Sequence, residues 1–188
     1  MSKPSLLAAR LAVPLALALS LAACGGGDDD PPASKLQTLQ GQDPIVIAHR
    51  GASGYFPEET LEAYALAIAM GADVIEPDIV VTKDGVLIAR HDITLATSTD
   101  VASHPEFATR KRAGENGDGE PVTADWFVAD FTLAEIKTLR ATSPNHPAAQ
   151  KYNGLYQVVT FQEVLDLIKL KAKETGRTVG VYLSLIHI

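Results

Sequence analysis

The chain has 188 residues, of which 46% are hydrophobic, and a formal net charge of −7. Its lysines and arginines are scattered rather than clustered, which argues against nucleic acid as a partner. The composition is typical of a globular domain, and such an acidic chain would need a local arginine or a bound cation to hold a phosphorylated ligand.

The first 23 residues have the pattern of a leader peptide. Lys3 and Arg10 precede an apolar run, 11–23, that is too short for a membrane-spanning helix of roughly 20 residues. The following cysteine completes LAAC, which resembles a bacterial lipobox and implies cleavage before Cys24 and lipid attachment to its sulfur. We therefore expect a bacterial lipoprotein, in the periplasm or at the cell envelope. An ordinary signal peptide that ends near a cysteine is the alternative.

Residues 24–43 are predicted to form a flexible tether, because GGGDDDPP at 25–32 is rich in glycine, charge and proline. Cys24 is the only cysteine in the sequence, so no internal disulfide is expected. We interpret residues 45–188 as one domain, since that length can bury a core.

A strand, a helix and a second strand are predicted next. The apolar run Ile45–Ala48 is typical of a strand buried on both faces of a parallel sheet. Residues 60–70 favour a helix with Thr60 as its N-cap and Gly71 at its end. Its apolar face would consist of Leu61, Tyr64, Ala65 and Ile68. With 72–81 as the second strand, the unit is β-α-β and the fold class is α/β.

A hairpin and an insertion follow. Apolar runs on both sides of Lys83-Asp84-Gly85 predict a hairpin with Asp84-Gly85 as the turn. Residues 95–157 lose hydrophobic periodicity, and we interpret them as an insertion that caps the domain. They contain one clear helix, 133–139, which begins with the capping-box pair Thr132 and Glu135.

A second capping box, formed by Thr160 and Glu163, predicts the last helix. The apolar face of that helix would consist of Val164, Leu165, Ile168 and Ala172. Residues 178–183 are predicted to form the third core strand.

Polar side chains of three segments are expected to meet at one end of the sheet. His49 and Arg50 end the first strand, and Glu76 and Asp78 lie two positions apart on the second, so both carboxylates leave the same face. Two such carboxylates repel each other unless a cation lies between them, and a hard divalent ion suits oxygen ligands. We expect Ca²⁺ rather than Mg²⁺.

The hairpin is expected to bring His91 to this pair. With Asp84-Gly85 as the loop, position 78 faces 91, and with Lys83-Asp84 as the loop, position 76 faces 91. In both registers the His91 imidazole lies close to one of the two carboxylates. The carboxyl ends of parallel strands share one rim, so His49 should lie nearby.

These residue types indicate phosphoryl chemistry. Two histidines can exchange protons near neutral pH, one as base and the other as acid. Arginine matches two phosphate oxygens, and a metal ion offsets the charge that develops during the reaction.

The same segments resemble a known family. HRGASGYFPEETLEAY at 49–64, GADVIEPD at 71–78 and TKDGVLIARHD at 82–92 look like the glycerophosphodiester phosphodiesterases. DFTLAEIKTLR at 130–140 and VVTFQEVL at 158–165 further resemble the secreted, periplasmic branch, which carries a long insertion.

The resemblance implies a TIM barrel of the PI-phospholipase-C-like type, and hydrolysis of glycerophosphodiesters to sn-glycerol 3-phosphate and an alcohol. It implies His49 and His91 as the acid/base pair and Arg50 on the phosphate. It also implies Glu76 and Asp78 on the metal.

The sequence departs from the family pattern in its last residues. Ser184 stands where the family has a third metal-binding glutamate, and only about three core strands are present where a barrel has eight. We interpret the sequence as truncated, with its last few residues from a foreign junction, and expect this chain to be inactive. A natural short homologue that has lost its third ligand is the alternative. Two smaller departures are Pro77 within a strand and Glu59, where the family more often has asparagine or histidine.

Other polar and aromatic residues are expected to be structural. His104 and His146 should lie away from the substrate. Asp92 should orient a neighbouring group, and Glu58 either approaches the metal or the glycerol or simply begins a helix. The aromatic residues expected in the core of the insertion, rather than in a choline-binding box, are Trp126, Phe127 and Phe131.

Two other functions are consistent with these residues. One is a phospholipase D of the sphingomyelinase type, which shares the barrel and the two histidines. The other is a non-catalytic lipoprotein that binds glycerol phosphates through Arg50.

Overall fold

The computed structural model describes residues 37–184, which fall into two compact units that divide after Asp43. The predicted leader, 1–23, and Cys24 lie outside the described residues, as does most of the tether. Among residues 37–184, no helix has the length and apolar character needed to cross a membrane.

Among residues 37–184, the α-helices and strands all lie in the second unit, which contains a three-stranded parallel sheet. In chain order they are β1 (Ile47–His49), α1 (Leu61–Ala69), β2 (Val74–Glu76), β3 (Ile79–Val81), β4 (Leu87–Ala89), β5 (Arg112–Glu115), β6 (Pro121–Asp125), α2 (Leu133–Ile136), α3 (Phe161–Thr175) and β7 (Gly180–Val181). The sheet order is β1-β2-β7, and both pairings are parallel. The predicted α/β class is confirmed.

Helix α1 begins and ends where the sequence predicts. The Thr60 side chain accepts a hydrogen bond from the Ala63 N–H, and Gly71 follows the helix with φ of 101°. The buried face differs in part from the prediction, because Leu61 and Ala65 are only half-buried. The buried residues of α1 are Ala63, Tyr64, Ala67 and Ile68.

The first strand is not buried on both faces, so that prediction is wrong. Ile45, Val46 and Ile47 are 65%, 56% and 47% exposed. Among the described residues, β1 pairs with β2 alone and is therefore an edge strand. An apolar run in a strand indicates burial only where further layers or strands cover it.

The second predicted strand is interrupted at Pro77, where β2 ends and β3 begins. Proline has no N–H to donate to a strand ladder, so the chain changes partners there. Beyond the break, β3 pairs with β4 in an antiparallel hairpin.

Both predicted hairpin registers are wrong by one position. Val81 pairs with Leu87, and the Thr82 N–H bonds to the Val86 carbonyl, so the loop has three residues with a left-handed Gly85. Three-residue hairpin loops commonly place glycine in that conformation. As a result Arg90, rather than His91, faces Asp78, and its N–H lies 2.9 Å from the Asp78 carbonyl oxygen.

The insertion builds a core of its own against the hairpin. Trp126, Phe127 and Phe131 are 3%, 4% and 0% exposed, so their predicted core role is confirmed. Helix α2 has the predicted capping box but ends at Ile136. The β5–β6 hairpin was not predicted, because its mostly exposed strands carry no alternating apolar pattern.

The last helix and strand hold the carboxyl end of the described chain against β2. Helix α3 begins with the Thr160–Glu163 capping box and ends at the left-handed Gly176. The strand predicted at 178–183 is reduced to the two residues of β7, and Ser184 then forms an isolated parallel bridge with Asp78.

Candidate active site

A tight turn after β1 holds His49, Arg50 and Gly51 at the end of the sheet. Arg50 has φ of 58°, a left-handed conformation that is uncommon for a side chain of its size. Gly51 also has a positive φ, and a Cβ there would lie 2.8 Å from the Ala63 carbonyl carbon. Only glycine therefore allows this turn to approach α1 so closely.

The predicted convergence of one histidine and two carboxylates is present. One ligand atom each from His49, Glu76 and Asp78 lies within 4.8 Å of the others, and His49 pairs with Glu76 between β1 and β2. Both carboxylate residues are buried, 6% and 4% exposed. Burial first, and the Asp78 charge second, raise the pKa of Glu76. A cation would oppose both effects.

Arg50 lies between two carboxylates. Its Nε is 3.0 Å from Asp78 Oδ2, and its Nη1 is 3.3 Å from Glu58 Oε2. The Arg50 Nε–H does not point at the aspartate, so within residues 37–184 neither Arg50 Nε nor Asp78 Oδ2 makes a hydrogen bond. A buried carboxylate oxygen that no donor reaches is an atom that a cation would satisfy. The residues present thus fit a divalent cation with oxygen ligands.

A third carboxyl group, Glu59, is buried behind this pair. Its Oε1 accepts a hydrogen bond of 3.1 Å from the Asp78 N–H, and its Oε2 accepts one from the Tyr64 hydroxyl. Burial is the main cause that raises the pKa of Glu59 well above its ordinary value.

A polar cavity of about 240 Å³ opens beside Arg50. His91 lines this cavity rather than joining the His49–Glu76–Asp78 group, as the one-position change of register requires. Its Nδ1 lies 2.7 Å from Asp92 Oδ1, in agreement with the expected orienting role of Asp92. A contact of this kind to one ring nitrogen fixes the orientation of the imidazole.

The insertion forms the opposite wall of the cavity, which the sequence did not predict. Residues 142–146 line it, and His146, which was expected to lie away from the substrate, is among them. Two backbone N–H groups of this wall donate hydrogen bonds, Thr142 N to the Ser98 carbonyl at 3.0 Å and Ser143 N to the Asn153 side-chain Oδ1 at 2.8 Å. No local sequence signal marks His146, because only the tertiary fold brings the insertion to Arg50.

Two other polar residues have structural contacts. His104 lies near Asp100 and Glu106 within the insertion, at 3.5 and 2.9 Å, and does not line the cavity. Arg90 is buried, and its Nη2 donates to Thr94 O at 2.9 Å and to Ser98 Oγ at 2.6 Å. Arg90 therefore supports the cavity from behind.

Comparisons with known proteins point to one family. The chain is 47% identical over 144 residues to glycerophosphodiester phosphodiesterase GDPD6 of Arabidopsis thaliana, a match that covers 77% of this chain and 37% of that protein. It is 38% identical over 179 residues to a glycerophosphodiester phosphodiesterase of Haemophilus influenzae, covering 88% and 46%. The chain thus spans less than half the length of either relative.

Two solved structures share the fold. A glycerophosphodiester phosphodiesterase from Agrobacterium tumefaciens is 27% identical, with a TM-score of 0.53 over 75% of this chain and 46% of that one. An Oleispira antarctica phosphodiesterase in complex with the product sn-glycerol-3-phosphate is also 27% identical, with a TM-score of 0.51 over 76% and 45%. The model of the glycerophosphoryl diester phosphodiesterase family matches residues 49–187, and the chain belongs to that family.

Proposed function

We propose that this site serves the hydrolysis of glycerophosphodiesters to sn-glycerol 3-phosphate and an alcohol, within a TIM barrel of the secreted branch of the family. The observation that carries the proposal is the position of Arg50. Its guanidinium lies against buried Asp78 and also lines the cavity that His91 and His146 share. The family membership and the product complex of the Oleispira relative support the same reaction.

Arg50 is proposed to bind the phosphate. Its guanidinium can donate two parallel hydrogen bonds to phosphate oxygens, but in this structure it lies against Asp78 and Glu58. Those two negative charges would repel a phosphodiester. Glu76 and Asp78 would hold the divalent cation, which when bound supplies positive charge beside the phosphate and offsets this repulsion. We propose Ca²⁺ rather than Mg²⁺.

His49 and His91 are proposed to transfer the protons. One imidazole removes a proton from the attacking water as the new P–O bond forms. The other gives a proton to the alcohol oxygen as the old P–O bond breaks, so the phosphate stays on the glycerol. Asp92 holds the His91 ring through Nδ1 and so orients it for this step.

A binding protein without turnover is the second candidate, and Ser184 favours it. Ser184 stands beside Asp78, where the resemblance places a third carboxylate, so residues 37–184 offer only two carboxylates with His49. Fewer carboxylate ligands weaken the binding of a hard cation.

The first experiment measures binding and turnover on the 188-residue chain. Calorimetry with sn-glycerol 3-phosphate, with and without Ca²⁺, should show binding that needs the cation and that Arg50→Ala abolishes. Absence of binding with every divalent ion tested would overturn the proposal. Release of sn-glycerol 3-phosphate from glycerophosphocholine would identify a hydrolase. Cleavage of sphingomyelin instead would indicate the phospholipase D reaction.

We also propose a cell-envelope location with a lipid anchor on Cys24. This proposal is supported by the leader-like residues 1–23 and the LAAC sequence. Labelled palmitate should be incorporated in a bacterial host, and Cys24→Ala should abolish the label. An unlabelled wild-type protein that is nevertheless cleaved near residue 23 would indicate an ordinary signal peptide.

A further inference from the structure

We propose that Glu59 is a positioning residue that fixes Asp78 and Arg50 for cation and phosphate binding. This inference rests on the proposed function, because it concerns the same site. Glu59 is 4% exposed and has φ of 59°. Within residues 37–184, it and Arg50 are the two non-glycine residues with a positive φ.

The break at Pro77 explains why Asp78 needs a partner such as Glu59. Asp78 lies between β2 and β3, so its N–H takes no part in the ladder of β2 with β1 or of β3 with β4. Glu59 Oε1 accepts that N–H at 3.1 Å, while the Asp78 carbonyl accepts the Arg90 N–H at 2.9 Å. Both backbone groups of Asp78 are thereby fixed, and with them the direction in which its carboxylate leaves the chain.

Tyr64 fixes the Glu59 side chain in turn. Its hydroxyl donates to Glu59 Oε2, and the tyrosine is fully buried on α1. The carboxyl group therefore bridges α1 and the break between β2 and β3.

Glu59 also holds the turn that carries Arg50. The Glu59 N–H donates to the Arg50 carbonyl at 3.2 Å, and the Arg50 N–H donates to the Glu76 carbonyl at 2.9 Å. Left-handed conformations of large residues persist only where the surroundings hold them. Glu59 thus contacts both Arg50 and Asp78, whose side chains approach each other to 3.0 Å.

The role needs the shape of the Glu59 side chain rather than its charge. Any carbonyl-type oxygen at the same place can accept the Asp78 N–H, so Glu59→Gln should preserve the geometry. Glu59→Asp keeps the charge but is one methylene shorter, so it should lose the contact with Asp78. These two variants separate the effect of side-chain position from the effect of charge, and neither leaves a cavity at position 59.

The test is calorimetric titration of the chain with Ca²⁺. We expect Glu59→Gln to bind within about threefold of the wild type, and Glu59→Asp to bind about tenfold or more weakly, as is usual when an orienting partner of a metal ligand is lost. Tyr64→Phe should weaken binding by a smaller factor. Glu135→Ala removes a capping carboxylate in the insertion and is the control, since it should lower the melting temperature without changing Ca²⁺ affinity.

A second readout does not depend on any cation. Amide hydrogen exchange at Asp78, followed by NMR, should stay slow in Glu59→Gln and become faster in Glu59→Asp. If the wild type binds no divalent ion, the proposed cation site fails, and this exchange rate still decides the role of Glu59. Unchanged exchange and affinity in Glu59→Asp would overturn the inference, as would a Glu59→Gln variant that behaves like Glu59→Asp.

Discussion

Arg50 Nε and Asp78 Oδ2 lie 3.0 Å apart but are not hydrogen-bonded to each other. Asp78 is almost fully buried, so its carboxylate depends on nearby positive charge for compensation. Arg50 is itself shared with Glu58, and it lines the polar cavity. A bound phosphate would therefore compete with Asp78 for the Arg50 guanidinium. A cation bound to Asp78 would neutralise its charge and so favour the contact between Arg50 and the phosphate.

Replacement of Arg50 by lysine should weaken phosphate binding even though the charge is kept. Lysine is a point charge and cannot form two parallel hydrogen bonds to phosphate oxygens. We expect Arg50→Lys to reduce affinity for sn-glycerol 3-phosphate by about 10- to 100-fold, the equivalent of roughly 1.5–3 kcal/mol for a charge-assisted hydrogen bond. Calorimetry measures this. The control is Arg112→Lys, whose arginine pairs with Asp130 at 2.6 Å and does not line the cavity. Equal losses in both variants would contradict the prediction.

A glutamate at position 184 should restore the missing carboxylate. Ser184 is held beside Asp78 by hydrogen bonds from Ile79 N to Ser184 O at 3.3 Å and from Ser184 N to Pro77 O at 3.1 Å. Ser184→Glu should raise Ca²⁺ affinity by about tenfold, because affinity for this ion increases with the number of carboxylate ligands. Without Ca²⁺, the added repulsion should lower the melting temperature, and Ca²⁺ should restore it.

Ser184→Gln separates charge from size at this position. Glutamine has nearly the same side-chain volume as glutamate but no charge, so Ser184→Gln should leave Ca²⁺ affinity close to that of the wild type. A gain that is equal in the glutamine and glutamate variants would show that the third carboxylate is not the cause.

Removal of His146 should affect ligand binding rather than folding. His146 is half-buried in the wall of the cavity, and the loss of one neutral hydrogen bond is worth about 0.5–1.5 kcal/mol. His146→Ala should therefore weaken binding of sn-glycerol 3-phosphate or a glycerophosphodiester by about two- to tenfold. His104→Ala is the matched control, because its histidine belongs to the same insertion but contacts Asp100 and Glu106. If His104→Ala has the larger effect on binding, the cavity wall is misassigned.

The ion pair of the insertion should make stability dependent on pH in the acid range. A hydrogen bond from Arg110 is the main cause that lowers the pKa of Glu135 to about 2. Because the folded pKa lies below the unfolded value of about 4.3, this contribution is fully present above that value and is lost as pH falls toward 2.

Glu135→Gln measures this contribution while it keeps an oxygen for the Thr132 cap. The difference in melting temperature between wild type and variant should be largest above pH 5 and should shrink toward pH 2. The side chains are about one-third exposed, so salt should reduce the difference, which stays below about 1 kcal/mol. A difference that is constant from pH 7 to pH 2 would contradict the assignment.

The sequence by itself determined the helix caps and the carboxylates and histidine of the polar cluster. The caps at Thr60, Thr132 and Thr160 all form as predicted, because a capping hydrogen bond joins residues only three positions apart. The proximity of Glu76 and Asp78 is likewise local, since they lie only two positions apart on either side of Pro77. His49 joins them because parallel strands end at a common edge.

Only the tertiary structure decided how distant segments meet. The hairpin loop has three residues instead of two, and that single position puts Arg90 opposite Asp78 and moves His91 into the cavity. The cavity wall brings His146 close to Arg50, which lies far away in the sequence. The hydrogen bond from Asp78 N–H to Glu59 likewise joins residues 19 positions apart. Such contacts depend on the packing of the whole domain. In a strand pair, a register shift of one residue turns each side chain to the other face, and no local sequence pattern specifies the register.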